Sequence, residues 1–257
     1  MKIVAISDLH IGPRAGRDAF GHAPEAFSRF LDAMLDWADA VVLLGDVWQT
    51  DHGLRTGPLA AARQLRAAMD RSPWLSERLG HPRLHLIHGN HDAIAKAELG
   101  ARTALRFEGA AGAALFTHGD AFDAVIRRAP RLSATGTWIC GRLRHAGLDG
   151  VAQELEDRDV QVKGARVHGP GGPTALAAVA EARKERAATL VMGHTHVNLD
   201  HVEAGPAGEA PVRLLNTGTC SRGRWSGVLL DTETGAGAAL LGAKAWIAAT
   251  EGAVCPA

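Results

Sequence analysis

Nine side chains that can bind metal ions or transfer protons follow closely after short apolar segments of the chain. They are Asp8, His10, Asp46, Asn90, His91, Asp92, His118, His194 and His196. Residues two positions apart on an extended chain point to the same side, so Asp8 and His10 can reach one ion. The same spacing recurs at His194 and His196. Histidine, carboxylate and amide ligands without a thiolate are typical of manganese, iron or zinc sites.

These ligands are more than one ion needs, and they indicate two ions that share a carboxylate. Two cations roughly 3.5–4 Å apart can hold a phosphate between them and acidify a bridging water. Such a centre activates water for in-line attack on phosphorus, and a protonated histidine beside it can supply a proton to the leaving group. The sequence therefore predicts a metal-dependent phosphoesterase with two divalent ions, manganese first, with iron or zinc as alternatives.

The segments that must position these residues follow the pattern of an α/β protein, because short apolar strands alternate with longer helical stretches. Five strands are predicted to end at the candidate ligands: Lys2–Ser7, Val41–Leu44, Leu84–Ile87, Ala114–Thr117 and Thr189–Met192. In open α/β sheets ligands bind beyond the carboxyl ends of the strands, so the five ends should present their side chains at one edge. Glycines at four of these ends allow sharp turns and a close approach of the backbone.

Further elements are predicted from hydrophobic periodicity and turn residues. The predicted helices are Ala23–Ala38, Pro58–Asp70 and Thr174–Ala188, the last with Thr174 as its N-cap. The predicted late strands are Arg213–Leu215, Gly227–Leu230 and Ala238–Ala248. These late strands belong either to a second sheet or to an antiparallel edge.

The longest interval between successive motifs runs from His118 to His194 and holds several arginines around Trp138 and Ile139. We expect residues 121–172 to form a helical cap inserted into a single domain over residues 1–257. An apolar cleft near Trp138 and Ile139 would favour a lipid-like tail on the substrate, and a polar one a small soluble substrate. One or two cap arginines should turn inward if the substrate is a phosphate. The tract GPGGP at 169–173 lacks the GK[ST] of a nucleotide-binding loop.

The amino-acid composition limits the classes of protein to which the chain can belong. A chain of 257 residues with 46% hydrophobic and 22% charged residues is ordinary for a soluble globular protein. The 28 Lys and Arg residues balance the 28 Asp and Glu residues, and aromatic residues make up only 5%, so nucleic acid is disfavoured as a partner. Three scattered cysteines and the absence of a signal-peptide pattern at the start predict a reducing compartment, the cytoplasm.

The motifs DLH (8–10), GD (45–46), GNHD (89–92), HGD (118–120) and GHTH (193–196), in this order, resemble the calcineurin-like metallophosphoesterase superfamily. The resemblance implies a four-layer α/β/β/α sandwich of two mixed β-sheets flanked by helices. It implies one metal held by Asp8, His10 and His196, a second held by Asn90, His118 and His194, and Asp46 between them. His91 would face the phosphate without binding metal, and Asp92 would orient His91.

The compact HGD motif followed by a helical insertion is similar to the UDP-2,3-diacylglucosamine diphosphatases of lipid A synthesis and their relatives, in which the insertion covers acyl chains. This similarity implies a phosphorylated small molecule or nucleotide-lipid as substrate, with at most peripheral membrane contact through the cap. Two alternatives stay open, namely a non-catalytic protein-binding module on the same scaffold and a nuclease. A decayed site would lose its ligands first, and every proposed ligand is present, which favours the hydrolase.

The remaining histidines are expected to be structural rather than catalytic. They are His22, His52, His81, His85, His88, His145, His168 and His201. Asp120 has two equal interpretations, either as a carboxylate that supports His118 or as the N-cap of a helix that begins AFDAVI.

Overall fold

The computed structural model describes residues 1–14, 18–206 and 209–256, without the side chains of residues 159, 163 and 165. The strands are β1 (Lys2–Ile6), β2 (Ala40–Leu44), β3 (Leu84–Ile87), β4 (Ala104–Phe107), β5 (Ala114–Thr117), β6 (Thr189–Met192), β7 (Asn198–Glu203), β8 (Val212–Thr217), β9 (Ser226–Asp231) and β10 (Gly237–Leu241). The helices are α1 (Pro24–Trp37), α2 (Pro58–Arg71), α3 (Pro73–Ser76), α4 (Ala95–Leu99), α5 (Ala124–Arg128), α6 (Pro130–His145), α7 (Asp149–His168), α8 (Pro173–Lys184) and α9 (Ala243–Ala249).

The strands form two mixed five-stranded sheets. The first sheet has the order β10-β9-β1-β2-β3, and the second has the order β4-β5-β6-β8-β7. In the first sheet β1, β2 and β3 are parallel, whereas β9 runs antiparallel to both β1 and β10. In the second sheet β5, β6 and β8 are parallel, and β4 and β7 run antiparallel at its two edges. The late strands thus divide between the two sheets, since β8 joins the second and β9 and β10 join the first.

Three apolar cores separate four layers and confirm the α/β/β/α sandwich. The first sheet packs against α1, whose buried face repeats at i, i+3 and i+4 through Phe27, Phe30 and Leu31 as predicted. The two sheets face each other through a second core that includes Val42 and Phe116. The second sheet packs against α8 through a third core. Full burial of each phenylalanine of α1 contributes about 1.5–3 kcal/mol to the stability of the first core.

The prediction of one strand over Ala238–Ala248 is wrong in its second half. Strand β10 ends at Leu241, and α9 begins after Gly242, which has a left-handed φ of 83°. The helix turns Trp246 fully into the core, where its ring lies 5.1 Å from that of Phe30. A short apolar run fits a buried helix as well as a strand, so tertiary packing decides between them.

The N-cap of α8 also differs from the prediction. Gly172 precedes the helix, Pro173 occupies its first turn, and Thr174 is already inside it. Proline is pre-organised for the first helical position, so it fixes the start one residue earlier. The hydroxyl of Thr174 lies 3.1 Å from His168 Nδ1 instead, and this contact joins the end of α7 to the start of α8.

Helices α5, α6 and α7 lie between β5 and β6 in the chain and stand over the carboxyl ends of the strands. We refer to these three helices as the cap. Kinked at Gly164, α7 is the longest helix in the described part of the chain. No helix in residues 1–14, 18–206 and 209–256 has both the length and the hydropathy of a membrane span.

Candidate metal centre

The carboxyl ends of five parallel strands, three from the first sheet and two from the second, meet at one edge of the sandwich. Asp8 and His10 follow β1, Asp46 follows β2, Asn90 follows β3, His118 follows β5, and His194 and His196 follow β6. The main chains of the first two ends are joined, because the amide of Asp8 donates to the Gly45 carbonyl (3.1 Å) and that of His10 to the Asp46 carbonyl (3.0 Å).

The backbone is left-handed at five of these residues. Asp8, His10, Asp46, His194 and His196 have φ values between 50° and 67°. Such a conformation costs a non-glycine residue on the order of 1–3 kcal/mol, and it persists where the surrounding structure enforces it, often at functional sites. The sharp turns direct successive side chains toward the space between the ends of the two sheets.

The first group of candidate ligands consists of Asp8, His10 and His196, with one ligand atom from each lying within 4.8 Å of the others. Asp8 Oδ1 lies 3.2 Å from His196 Nε2 and 3.8 Å from His10 Nε2. The other oxygen of Asp8 accepts hydrogen bonds from the Ser7 hydroxyl and from the His194 amide, at 3.1 Å in the second case. One oxygen of Asp8 is therefore held by these hydrogen bonds, and the other oxygen faces the two histidines.

The second group consists of Asp46, His118 and His194, again within 4.8 Å. His118 Nδ1 donates to the Leu44 carbonyl at 2.9 Å, which leaves Nε2 facing Asp46 Oδ2 at 3.2 Å. His194 Nε2 lies 3.4 Å from Asp123 Oδ2. A second partner of this kind typically fixes the tautomer and the ring orientation of a metal-binding histidine.

Asp46 links the two groups, because it also lies within 4.8 Å of His10 and His91. Among the candidate ligands, the buried atoms His10 Nδ1 and Asn90 Oδ1 have no hydrogen-bond partner in the described residues, and His118 Nε2 has only its contact with Asp46. Leaving a buried donor or acceptor unpaired costs about 1–3 kcal/mol of folding free energy, so these atoms are expected to have a partner in the functional protein. Imidazole nitrogens with carboxylate and amide oxygens form a donor set that fits manganese, iron or zinc. The residues present thus fit divalent cations.

The electrostatics of the centre also suit cations. Burial by itself would raise the pKa of Asp8, but His196 and His118 lower it to about 2. Burial would likewise raise the pKa of Asp46, yet His118 and His91 hold it well below its usual range. Both carboxylates are therefore ionised at neutral pH. Burial, followed by the charge of His91, lowers the pKa of His10 to about 4, so this imidazole is in the neutral form that binds metal.

His91 lies beside the two groups of candidate ligands, and side chains of the loop after β2 orient its ring. Its Nδ1 is 2.9 Å from Asp51 Oδ2 and 2.9 Å from Gln49 Nε2. Its ring makes an edge contact with the ring of His10 at 5.0 Å. Burial lowers the pKa of His91, but the Asp51 and Asp46 carboxylates outweigh this effect and raise it to about 10. The imidazole is thus held as a proton donor next to the candidate ligands.

The expectation that Asp92 orients His91 is corrected by these contacts. The carboxylate of Asp92 accepts hydrogen bonds from backbone amides, at 2.6 Å from Gly89 and 2.8 Å from Val47, with further contacts to Asp46 and Trp48. Burial and the charge of Asp46 raise the pKa of Asp92 to about 7. Asp92 therefore ties the loop after β2 to the loop after β3 and positions backbone rather than the imidazole.

One of the two interpretations of Asp120, as the N-cap of the following helix, is wrong. Asp120 begins a 3₁₀ turn, and the N-cap of α5 is instead Asp123, whose Oδ1 accepts from the Val125 amide at 2.7 Å. Asp123 was missed by the sequence analysis, although it lies three residues past HGD. His52, which is expected to be structural, lies beside the site, with its ring 6.2 Å from that of His91.

Gly89 lies so close to the centre that a larger residue cannot fit. A Cβ atom there would lie 2.2 Å from Asp46 Oδ1 and 2.7 Å from His118 Nε2. We expect Gly89→Ala to displace both ligands, costing about 1–3 kcal/mol in stability and reducing the gain in melting temperature that Mn²⁺ produces. Gly80→Ala is the matched control, because a Cβ atom at Gly80 meets nothing within 4 Å. An equal response of the two variants to Mn²⁺ in a thermal shift titration would refute this reading of the site.

A cavity of about 670 Å³ lies between the metal centre and the cap. His10, Asp46, Asn90 and His91 belong to its floor. Apolar cap side chains form much of its lining: Val125, Ile126, Leu132, Ile139, Leu155 and Val160. Trp138 does not reach this space and lies in a separate shallow groove with Leu54 and Arg142. Of the two residues whose surroundings were to distinguish an apolar from a polar cleft, Ile139 lines this apolar cavity and Trp138 does not.

Residues 1–235 match the calcineurin-like phosphoesterase superfamily domain. A UDP-2,3-diacylglucosamine hydrolase of Shewanella sp. (strain MR-7) is 37% identical over 95 residues, which are 36% of this chain and only 34% of that protein. Vps29 of Chaetomium thermophilum aligns with 93% of this chain and 95% of its own, at 15% identity and a TM-score of 0.44. An archaeal phosphodiesterase aligns with 94% of this chain and 99% of its own, at 14% identity and a TM-score of 0.42.

Proposed function

The chain belongs to the calcineurin-like phosphoesterase superfamily, and from this premise we propose that it is a dinuclear metal-dependent hydrolase of phosphoester or pyrophosphate bonds. The observation that carries the proposal is the position of Asp46 at the floor of the cavity, where it lies within 4.8 Å of His118 and His194 of one candidate group and of His10 of the other. In the proposal one ion binds Asp8, His10 and His196, and the other binds Asn90, His118 and His194. Manganese is the first candidate for both.

Bound divalent cations would neutralise phosphate charge and lower the pKa of a water molecule that attacks phosphorus. The chain's own contribution is to place the remaining groups. His91, with Nδ1 against Asp51, presents its other ring nitrogen to a bound phosphate and donates a proton to the leaving oxygen. Asp92 holds the two loops that carry Asp46 and His91 through their backbone amides. The cap limits access of water to the floor of the cavity.

The substrate we propose is a phosphorylated molecule with an apolar portion. The apolar side chains of the cap face the same cavity as the candidate metal ligands, so one ligand can contact both. The volume of about 670 Å³ is within the range of drug-sized ligands. A nucleotide-linked lipid, the chemistry named in the Shewanella relative, satisfies both requirements. In this proposal residues 1–257 form one domain with the cap inserted at about 121–172.

Metal removal tests the proposal directly. We expect EDTA, followed by desalting, to abolish hydrolysis of bis(p-nitrophenyl) phosphate, and added Mn²⁺ to restore it. The reason is that none of the candidate ligand side chains can replace the bound cation as the electrophile. Hydrolysis that persists in excess EDTA contradicts the proposal. The reconstituted enzyme is then given a UDP-sugar with and without acyl chains. A higher kcat/KM for the acylated form supports the apolar subsite, and faster cleavage of single-stranded DNA than of either supports the nuclease instead.

A further inference from the structure

Two arginines share one carboxylate at the wall of the cavity. Arg144 Nη2 donates to Glu156 Oε2 at 2.7 Å, and Arg222 Nη2 donates to the same oxygen at 2.8 Å. Arg144 lies on α6, Glu156 lies on α7, and Arg222 lies in the loop between β8 and β9. Arg222 also contacts Asp157. All four side chains line the cavity that contains the candidate metal ligands.

The charges of this cluster balance, because Glu156 and Asp157 face Arg144 and Arg222, but the donors of the arginines are not all paired. Each guanidinium carries five N–H groups, and both arginines converge on one oxygen of Glu156, while Arg222 also pairs with Asp157. Arg144 is only 8% exposed, and its Nε has no hydrogen-bond partner among the described residues. A buried, incompletely paired guanidinium that faces a cavity favours a ligand rich in acceptor oxygens, since charge-assisted hydrogen bonds from arginine to phosphate are strong and directional.

The loop that carries Arg222 is anchored beside the strand that carries Asp8. The Arg222 amide donates to the Ala19 carbonyl at 2.6 Å, and the Cys220 amide donates to the Ser7 carbonyl at 3.0 Å, just after the end of β1. Helix α6 contacts the loop that holds His52, because the His52 carbonyl accepts from His145 Nε2 at 3.1 Å, and the His52 ring is 6.2 Å from the His91 ring. The cluster and His91 line the same cavity.

We propose that Arg144 and Arg222 bind a second phosphoryl group of the substrate, distinct from the one that is hydrolysed at the metal centre. The proposal rests on the function proposed above, and it makes these two arginines the residues that distinguish substrates with two phosphoryl groups from those with one. Glu156 bridges the two guanidinium groups in the free protein and competes with the incoming anion for their donors.

The test compares binding of UDP and UMP, which differ by one phosphoryl group, by calorimetry on the Mn²⁺-loaded protein with the same excess of Mn²⁺ in cell and syringe, so that the metal centre takes one phosphoryl group of either ligand and both ligands enter already complexed with metal. We expect the wild-type protein to bind UDP about tenfold more tightly than UMP, as one or two charge-assisted hydrogen bonds would provide. Arg144→Gln and Arg222→Gln should each bring the two affinities close together. Arg142→Gln, on the outer face of α6, is the matched control and should retain the difference.

Glu156→Gln is expected to change the affinity for UDP in the opposite direction, which distinguishes a role in binding from a purely structural role. It removes the competing negative charge but keeps the side-chain volume, so UDP should bind this variant more tightly than it binds the wild type. A purely structural cluster would instead weaken UDP binding in all three cluster variants. Equal affinity of the wild type for UDP and UMP, or weaker UDP binding by Glu156→Gln, overturns the inference. Because no hydrolysis is measured, an inactive protein would refute the proposed function without affecting this result.

Discussion

Asp46→Asn is expected to reduce the affinity for Mn²⁺ by at least about 100-fold, which exceeds the typical cost of losing an outer-shell partner. Turnover should fall about 1000-fold, because metal stabilisation of the transition state is worth several kcal/mol. The physical reason is that a neutral amide retains the hydrogen bond from the His91 amide, 2.8 Å in the wild type, but cannot bridge two cations. Metal content by elemental analysis and hydrolysis of bis(p-nitrophenyl) phosphate measure the two effects.

Without metal the same variant should be less stable than the wild type at neutral pH. Against the effect of burial, the charges of His118 and His91 hold the pKa of Asp46 well below its usual range, so the folded state favours the ionised carboxylate and loses that stabilisation in the amide variant. Mn²⁺ should then raise the melting temperature of the wild type but not that of Asp46→Asn. Asp36→Asn, at an exposed position on α1, serves as the control. Full metal content in Asp46→Asn would show that Asp46 does not join the two ligand groups.

The strands that carry the candidate ligands could be predicted from the sequence because each is a short apolar run that ends in glycine with a polar residue. All five were confirmed within one residue at each end. Strands β4 and β7 were missed, since they are edge strands whose residues are partly exposed and include Arg106, Asp200 and His201. Edge strands lack the continuous hydrophobicity of buried parallel strands, so their pattern does not stand out from a loop.

The candidate ligands could be placed together from the sequence, but the groups that orient them could not. Ligands follow strand ends, and the sheet topology brings those ends to one edge. The partner of His91 depends instead on the path of the loop after β2, which brings Asp51 to the imidazole while Asp92 turns toward backbone amides. Adjacent residues in GNHD point in different directions, so proximity in sequence to His91 was a poor guide. The unused signal was a second acidic residue five positions after Asp46.

The charged residues that line the cavity could likewise not be predicted from the sequence. Arg144 belongs to a run of cap arginines that resembles a solvated helix face, and only the packing of α6 against the loop at His52 turns it inward. A Cβ atom at Gly141 would lie 2.8 Å from His52 Cα, so this glycine permits the close approach of α6 to the loop. The inward turn of one or two cap arginines was expected for a phosphate substrate, and Arg144 is the buried one.

His91→Ala is expected to retain both metals and yet lose most of its turnover. General acid catalysis contributes typically 10²–10⁴-fold, so we expect a loss of about that size in kcat with KM little changed. Metal content should be unchanged because the groups Asp8, His10 and His196, and Asp46, His118 and His194, are each complete without His91. Elemental analysis and steady-state kinetics test both parts, with His201→Ala on an edge strand as the control.

The companion variant Asp51→Asn tests the proton on His91 through the pH profile. Removal of the Asp51 carboxylate lowers the pKa of His91, which is raised to about 10 chiefly by Asp51 and Asp46 against the effect of burial. The group must be protonated to act as an acid, so the alkaline limb of kcat should move to lower pH in Asp51→Asn. A role limited to packing would lower kcat equally at every pH. Normal turnover in His91→Ala, or an alkaline limb that does not move in Asp51→Asn, would exclude His91 as the proton donor.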